Sequence, residues 1–415
     1  MDYRPVPDSH DDAFDATVSY AFSPERGPDP DRDYPDPPES FRPRALYDVD
    51  DRGGDSARAS DAAERPTTDD MTVVCGYYEF GARIRGETHE LAGIAAVASP
   101  PETRRRGLVR ELLGSVHREL RADGVAFAAL WPFEYPFYRR LGYARIGDHS
   151  RITVAPGALA SACPDPAGSY TRLVADDWRR LDDVYAEWAD DDLGLDRSES
   201  WWRRCVFRSW NADPYVYGWV DDDGTLGGYL VYTVEDGDDG RTMGVSELAA
   251  RDRRARGHLL RFCRNHDSQV ERVRIRGPAD ARLFDELADP QAADTEIRPG
   301  PMARVVDVAG ALEAIEFPAD AEGSVVLDVA DDTCEWNDGS VRLVVADGDG
   351  RVEAVDGDVE AAVELDVGAL TRLVLGSHGV ARLTELGEAT VHDDAARRTL
   401  AAAFPPREPY LREGF

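Results

Sequence analysis

The chain has 415 residues and a formal net charge of −33, and its 42% apolar and 9% aromatic residues suffice for the cores of two or three domains. It contains no Lys, so all 48 basic residues are Arg. An acidic field of this size repels nucleic acid, no run of about 18 apolar residues offers a membrane span, and the start Met1-Asp2-Tyr3-Arg4-Pro5 lacks the basic-then-apolar order of a secretory leader.

Acid excess without Lys reads as adaptation to a high-salt cytoplasm. At ~1 M salt the Debye length is ~3 Å and the surface charges repel weakly; at ~0.15 M it is ~8 Å and the same charge loosens the fold. The five cysteines (Cys75, Cys163, Cys205, Cys263, Cys334) are odd in number and widely spaced. They fit reduced thiols in a cytoplasm rather than a disulfide framework or a zinc site. The eight His form no H-E-x-x-H and no i,i+4 pair, so a metal role has little support, and G-x-S-x-G and the phosphate-binding G-x-x-x-x-G-K are absent too.

Residues 3–5 read as a short strand, and residues 8–22 place Ala13, Phe14, Val18 and Phe22 on one side of a helix. Residues 24–70 are rich in Pro, Asp, Arg and Gly and read as a long loop, either a lid or disordered, with a short helix near 41–47. Residues 71–80, 82–86 and 90–99 read as three strands. Leu108, Val109, Leu112, Leu113, Val116 and Leu120 form one apolar face of a helix that Gly124 closes. A buried strand at 125–131 and a short helix at 133–141 follow, and Gly142-Tyr143 turns the chain back. Residues 1–150 thus form one α/β unit.

Residues 151–305 repeat that order. Helices are expected at 176–191 and 198–209, strands at 215–221, 226–234 and 244–248, then a helix at 257–265, a strand at 270–275 and a helix at 280–287. Residues 306–415 differ: strands at 323–330, 340–347, 352–355 and 361–366 precede helices at 367–375, 378–386 and 393–403, an α+β arrangement.

The sharpest chemical signal is Val97-Ala98-Ser99-Pro100-Pro101-Glu102-Thr103-Arg104-Arg105-Arg106-Gly107-Leu108-Val109-Arg110. A strand leads through a basic turn and a Gly into a strong helix. The helix N-terminus offers unpaired N–H groups and a positive dipole end, Gly107 permits close backbone approach, and the Arg side chains add charge-assisted hydrogen bonds. Together these point to a phosphate group.

Arg104-x-x-Gly107-x-Val109 resembles the acetyl-CoA pyrophosphate motif of the GNAT superfamily of N-acetyltransferases, with Val109 where Gly or Ala is usual. Phe137-Tyr138-Arg139-Arg140-Leu141-Gly142-Tyr143 resembles that superfamily's F-Y-x-x-x-G-[FY] element. Two such units followed by a sterol-carrier-like domain resemble the enhanced intracellular survival (Eis) family. Gly228-Tyr229-Leu230-Val231-Tyr232 and Glu335-Trp336-Asn337 are similar to that family too. The fold implied is two tandem GNAT-like α/β units followed by a sterol-carrier-like α+β domain.

The resemblance implies that an amine attacks acetyl-CoA directly. Val97, Ala98 and Ser99 would pair with the pantetheine arm, Arg104, Arg105, Arg106, Gly107, Leu108, Val109 and Arg110 would hold the pyrophosphate, and Phe133 and Glu134 would also contact the cofactor. Tyr138 would be the general acid, since a phenol near pKa ~10 keeps its proton at neutral pH. The terminal carboxylate of Phe415 would be the general base, with Glu413 as a second candidate. An ordinary packed aromatic and an ordinary packed tail are the structural alternatives. The acceptor would be a polycationic or small-molecule primary amine, no metal is needed, and ring-like homo-oligomers are implied.

Arg254-Ala255-Arg256-Gly257 gives the second unit an R-x-x-G of its own, but Phe284 stands where Tyr138 stands in the first, so this unit reads as a structural repeat. A different class of function is an acetyl-CoA sensor or lipid carrier without turnover. On the charge reading, the thermal midpoint rises steeply as KCl is raised to molar concentration. A salt-independent midpoint would exclude the high-salt assignment.

Overall fold

The computed structural model describes residues 1–26, 36–48, 67–189, 192–209, 213–238, 240–355 and 359–415. The first unit contains β1 (Asp2–Pro5), α1 (Asp11–Phe22), β2 (Phe41–Tyr47), β3 (Met71–Ile84), β4 (Glu87–Ala98), α2 (Leu108–Ala122), β5 (Phe127–Leu130), α3 (Tyr135–Arg139) and β6 (Ala144–Arg145). The second contains β7 (Asp148–Val154), β8 (Ser169–Arg172), α4 (Trp178–Trp188), α5 (Glu199–Trp201, continued by a π turn Trp202–Val206), β9 (Tyr215–Val220), β10 (Leu226–Gly237), β11 (Gly240–Ala250), α6 (Arg253–Arg264), β12 (Arg272–Pro278), β13 (Ala293–Pro299) and β14 (Met302–Val305). The third contains α7 (Val308–Ala314), β15 (Gly323–Ala330), β16 (Gly339–Ala346), β17 (Asp349–Ala354), β18 (Val363–Asp366), α8 (Val367–Val374), α9 (Val380–Glu385), β19 (Ala389–Val391) and α10 (Asp394–Ala403).

The first two sheets exchange a strand. Their orders are β1-β2-β3-β4-β5-β14-β6 and β8-β9-β10-β11-β12-β7-β13. β7 follows the first unit in sequence but lies between β12 and β13 of the second sheet. β14 returns the exchange, pairing antiparallel with both β5 and β6. All four β14 residues are buried, as befits a strand covered on both faces. The division at residue 150 therefore falls inside β7. The third sheet has the order β17-β16-β15-β18-β19.

The apolar periodicity of α2 buries Leu108, Leu112, Leu113, Val116 and Leu120. Each contributes about 1.5–3 kcal/mol over exposure. Another apolar cluster runs without interruption from Phe80 and Trp202 through Leu312 and Leu327 to Phe404, so the three domains share a core.

Several elements depart from the sequence reading. Residues 41–47 are strand β2, not a helix: Pro43 disfavours a helix interior and lies just past the last β1 pair, Pro5 with Arg44. Residues 71–86 hold one strand rather than two, because Gly81 stays in register opposite Glu90. Residues 280–287 make only a 3₁₀ turn, Leu283–Glu286, which ends where Leu287 turns extended. Much of the 24–70 loop (27–35 and 49–66) lies outside the described residues.

The third domain is bolted on by a buried ion pair. Arg304 of β14 pairs with Asp331, their side chains 0% and 1% exposed, and also donates to the Leu141 carbonyl. Asn337 Nδ2 donates to Asp331 and to the Val306 carbonyl, each at 3.0 Å, while Trp336 Nε1 donates to Val306 at 2.9 Å. This is what Trp336 and Asn337 do. Arg304→Met leaves Asp331 buried without its cation and costs about 3–5 kcal/mol in urea unfolding performed in molar KCl. A loss below about 1 kcal/mol would show the pair to be dispensable.

Candidate active site

β4 and β5 run parallel only from Leu91–Phe127 to Ile94–Leu130. Past Ile94 they part. The register of β4 against β3 also slips there: Gly76 faces Ala95 and Val74 faces Ala98, so Ala96 and Val97 together oppose Cys75. Ala96 takes a left-handed φ of 51° in this bulge. The gap opens into a cavity of about 320 Å³ lined by Ile94, Ala95, Ala96 and Val97 on one side and Trp131, Phe133 and Tyr138 on the other. Val18, Ser19, Phe22 and Ser23 of the α1 end, Tyr78 of β3 and Phe415 complete it.

Ala98 is buried at the end of β4, and the Ser99 carbonyl accepts from Arg104 Nε at 2.9 Å. Arg104, Arg105, Arg106 and Gly107 are exposed. Gly107 adopts φ 82° immediately before α2, no side chain caps that helix, and the space above Gly107 is open. The first-turn N–H groups of Leu108, Val109 and Arg110 therefore face outward. Leu108 is buried and Val109 half-buried, while Arg110 reaches the Asp332 carbonyl at 2.8 Å and so spans to the third domain. The Arg turn and the strand end are adjacent, and the residues present fit a pyrophosphate followed by an extended arm.

Tyr138 on α3 is 2% exposed and lies edge-on to Phe133, Phe137 and Tyr143 at 5.1–5.9 Å between ring centroids. Burial raises the proton affinity of its phenol above the ordinary range. Behind it the Tyr143 hydroxyl and His117 Nε2 are 2.9 Å apart, and burial together with Arg304 and Arg118 keeps His117 neutral. Phe133 is 64% exposed, and Glu134 immediately precedes α3 on the surface.

The Phe415 ring packs 5.3 Å from Phe80 and 6.1 Å from Tyr78. Gly93 makes room for it, since a Cβ there would stand 2.9 Å from that ring. The tail is held from behind. Trp131 Nε1 donates to the Glu413 carbonyl at 2.6 Å. The Glu413 carboxylate accepts from Tyr185 at 2.7 Å and from Arg197 at 2.8 Å. Arg197 also forks onto Glu247 at 2.9 and 2.6 Å, under Tyr229. Its guanidinium stacks 3.9 Å from the Tyr185 ring centroid. Glu413 is thus held through Oε1 in an ion pair, while its Oε2 is buried without a hydrogen-bond partner among the described residues. Burial pushes the Glu247 carboxyl up, but Arg197 outweighs it and holds that carboxyl below its usual value.

The R-x-x-G of the second unit does not precede its helix; it lies inside α6. Asp252 caps that helix, accepting from Ala255 N at 2.7 Å, so a carboxylate already occupies the anion position. Gly257 packs against Pro164, and Arg254 and Arg256 pair with Asp222 and Glu286. The preceding strand β11 is eleven residues long, not short.

Sequence reasoning missed Trp131, Tyr78, Gly93 and Arg197. Phe22 had been assigned to the apolar face of α1, yet it is 60% exposed and lines the cavity.

Residues 2–146 and 193–305 match two acetyltransferase (GNAT) domain families, and residues 308–412 match a sterol carrier protein domain. The N-acetyltransferase Eis of Mycobacterium tuberculosis is 30% identical over 330 residues, 77% of this chain and 79% of that protein. The chain belongs to the Eis family of GNAT N-acetyltransferases. An uncharacterized N-acetyltransferase of Streptomyces griseus is 28% identical over 354 residues, 80% of this chain and 83% of that one. Eis1 from Mycobacterium abscessus shares the fold with a TM-score of 0.74 at 22% identity, each chain covered completely. A probable N-acyltransferase from Enterococcus faecalis aligns at 0.82 and 22% over 100% of this chain and 99% of the other. Like its Eis relatives the chain is an acetyltransferase, and GNAT acetyltransferases use acetyl-CoA. Among the described residues no helix is long and apolar enough to cross a membrane, and no cluster of His, Cys, Asp and Glu could hold a metal ion.

Arg197→Met strands two buried carboxylates, so it costs about 3–5 kcal/mol in urea unfolding and frees the tail for carboxypeptidase. The pH dependence has a fixed sign. Glu247 has a depressed folded pKa, so its contribution is complete above the unfolded value of ~4.3 and is lost as pH falls through the folded one. Acid therefore releases the tail, and Glu247→Gln removes that part of the acid dependence.

Proposed function

We propose that this enzyme transfers the acetyl group of acetyl-CoA to a primary amine of a small-molecule or polycationic acceptor by direct attack. The observation that carries the reading is that Tyr138 and Phe415, far apart in sequence, line the same cavity where β4 leaves β5. Val97, Ala98 and Ser99 offer backbone groups to the pantetheine arm. Arg104, Arg105, Arg106 and the N–H groups of Gly107, Leu108, Val109 and Arg110 hold the pyrophosphate, and Phe133 and Glu134 flank the thioester side.

The amine nitrogen forms a bond to the acetyl carbon, the carbon–sulfur bond breaks, and the electron pair leaves on sulfur. The Tyr138 hydroxyl gives its proton to that thiolate. The carboxyl group of Phe415 takes the proton that the new amide nitrogen sheds. The packing of the Phe415 ring against Phe80 and Tyr78 at the cavity wall supports this assignment. On the same reading the enzyme works in a high-salt cytoplasm as a homo-oligomer, supported by the Lys-free acidic composition and by the family resemblance. The apolar side chains of the third domain pack into the shared core, which supports a scaffolding role for it over lipid carriage.

Tyr138→Phe lowers kcat by about 10²–10⁴ on a multi-amine panel while acetyl-CoA binding is retained. Deleting Phe415 lowers it too, because the base and the ring are removed together. Because burial raises the Tyr138 pKa, kcat/KM climbs as the acceptor deprotonates and shows no acid-group decline up to pH ~10. Full turnover in Tyr138→Phe would remove the acid assignment, and full turnover without Phe415 would remove the base.

A further inference from the structure

We infer that the second sheet carries a binding site for a multivalent oxyanion, a diphosphate or a compact polycarboxylate, on the polar face of β12, β7 and β13. Three adjacent strands place it. Arg276 of β12 stands directly opposite Arg151 of β7, and Arg274 stands opposite Thr153, two residues along the same strands. On the other side Arg298 of β13 stands opposite His149. Side chains alternate along a strand, so these residues share one face. The intervening Ile152, Val154, Val273 and Ile275 belong to the apolar core on the other.

Such a face is costly by itself. Like charges directly opposite on neighbouring strands repel. Among the described residues none of Arg151, Arg274 and Arg276 forms an ion pair or a side-chain hydrogen bond. Two buried nitrogens also lack partners there: Arg276 Nε, and Nδ1 of His149, which is only 8% exposed. Burial, and after it Arg276, Arg151 and Arg298, pushes the His149 ring down to about 4, so three cations bear on one neutral imidazole.

The acids of this face do not balance it. Glu296, opposite Arg151, is paired with Arg298 at 2.7 Å, and the exposed Asp294 stands opposite Thr153. These four guanidiniums meet two carboxylates, in a chain whose acids outnumber its Arg by 81 to 48. Guanidinium forks match phosphate and carboxylate oxygens. With strands about 4.8 Å apart, the row across β12, β7 and β13 extends about 10 Å. A monovalent ion meets one or two of its forks, whereas a diphosphate or a tricarboxylate bridges several. Arg276 also stacks 4.8 Å from the Trp131 ring centroid, so the site adjoins the indole that holds the tail.

The test is isothermal titration calorimetry of the full chain at constant molar KCl, with CoA present to fill the turn before α2. Pyrophosphate and citrate are the probes. The expected result is one-to-one binding of at least one of them, weakened about 10-fold or more in Arg151→Gln/Arg276→Gln. Arg298→Gln, at an exposed position on β13, weakens it as well and serves if the double variant does not fold. Binding of one probe alone supports the site and names its ligand as phosphate or carboxylate; binding of both supports a site that reads clustered charge. No binding of either probe, or binding that the variants leave unchanged, would overturn the inference and leave the acetyl-transfer reading untouched.

Discussion

β4 and β5 share four register pairs before they part, and the backbone of β4 past Ile94 then faces a cavity instead of a strand. Unpaired strand N–H and C=O groups away from water are costly, so such a gap persists only where something else meets them or the surroundings enforce it. Here the surroundings enforce it. Ala96 sits in a left-handed bulge, two Pro follow Ser99, and Arg104 ties back to the Ser99 carbonyl. On the far side β14 occupies the next position beside β5, so β5 cannot swing across to close the gap. Because β14 comes from the second unit, the opening in the first sheet is maintained by a strand that the first unit does not encode contiguously.

Arg197 does for the tail what β14 does for the sheet. A short segment ending in Phe would fray without an anchor. The anchor is a guanidinium with 4% of its surface exposed, held between Glu247 and Glu413 and stacked on Tyr185. One Arg satisfies two buried carboxylates, and each partner also receives a tyrosine hydroxyl. The cluster fixes Glu413, and Trp131 fixes the carbonyl of the same residue. Phe415, two residues on, has little freedom left. Trp131 also lines the cavity, so the tail and the cavity wall share one indole.

Where periodicity was strong the sequence was easy to read. The Leu108–Leu120 stripe specified α2 and its buried face, and the strand–Arg–Gly–helix order located the turn with φ 82° at Gly107. The pairing of Tyr138 with Phe415 came through family resemblance, and no local pattern carries it. The strand exchange was illegible because β7 and β14 are ordinary short apolar runs, and nothing local tells a strand which sheet it joins. Arg197 was illegible for a similar reason: among 48 Arg residues its neighbours Asp196 and Ser198 look like any exposed turn. Pro43 shows the opposite case, where one residue argued against a helix and the surrounding composition obscured it.

The two units also show why a repeated motif need not be a repeated site. Both have a helix after a long strand, with Arg and Gly near its start. At α2 the Gly precedes the helix in a left-handed turn, no side chain caps the first N–H groups, and the approach is open. At α6 the Gly has moved inside the helix against Pro164, and the Asp252 carboxylate bonds the N–H of Ala255. A carboxylate at a helix N-terminus takes the same electrostatic and hydrogen-bonding benefit that a phosphate would take, and it is present at all times. An anion at α6 would have to displace a bonded carboxylate and break the pairs of Arg254 and Arg256, whereas at α2 no side chain caps the first N–H groups. An Asp at the N-cap position therefore separates a scaffold from a site more sharply than the presence of R-x-x-G does.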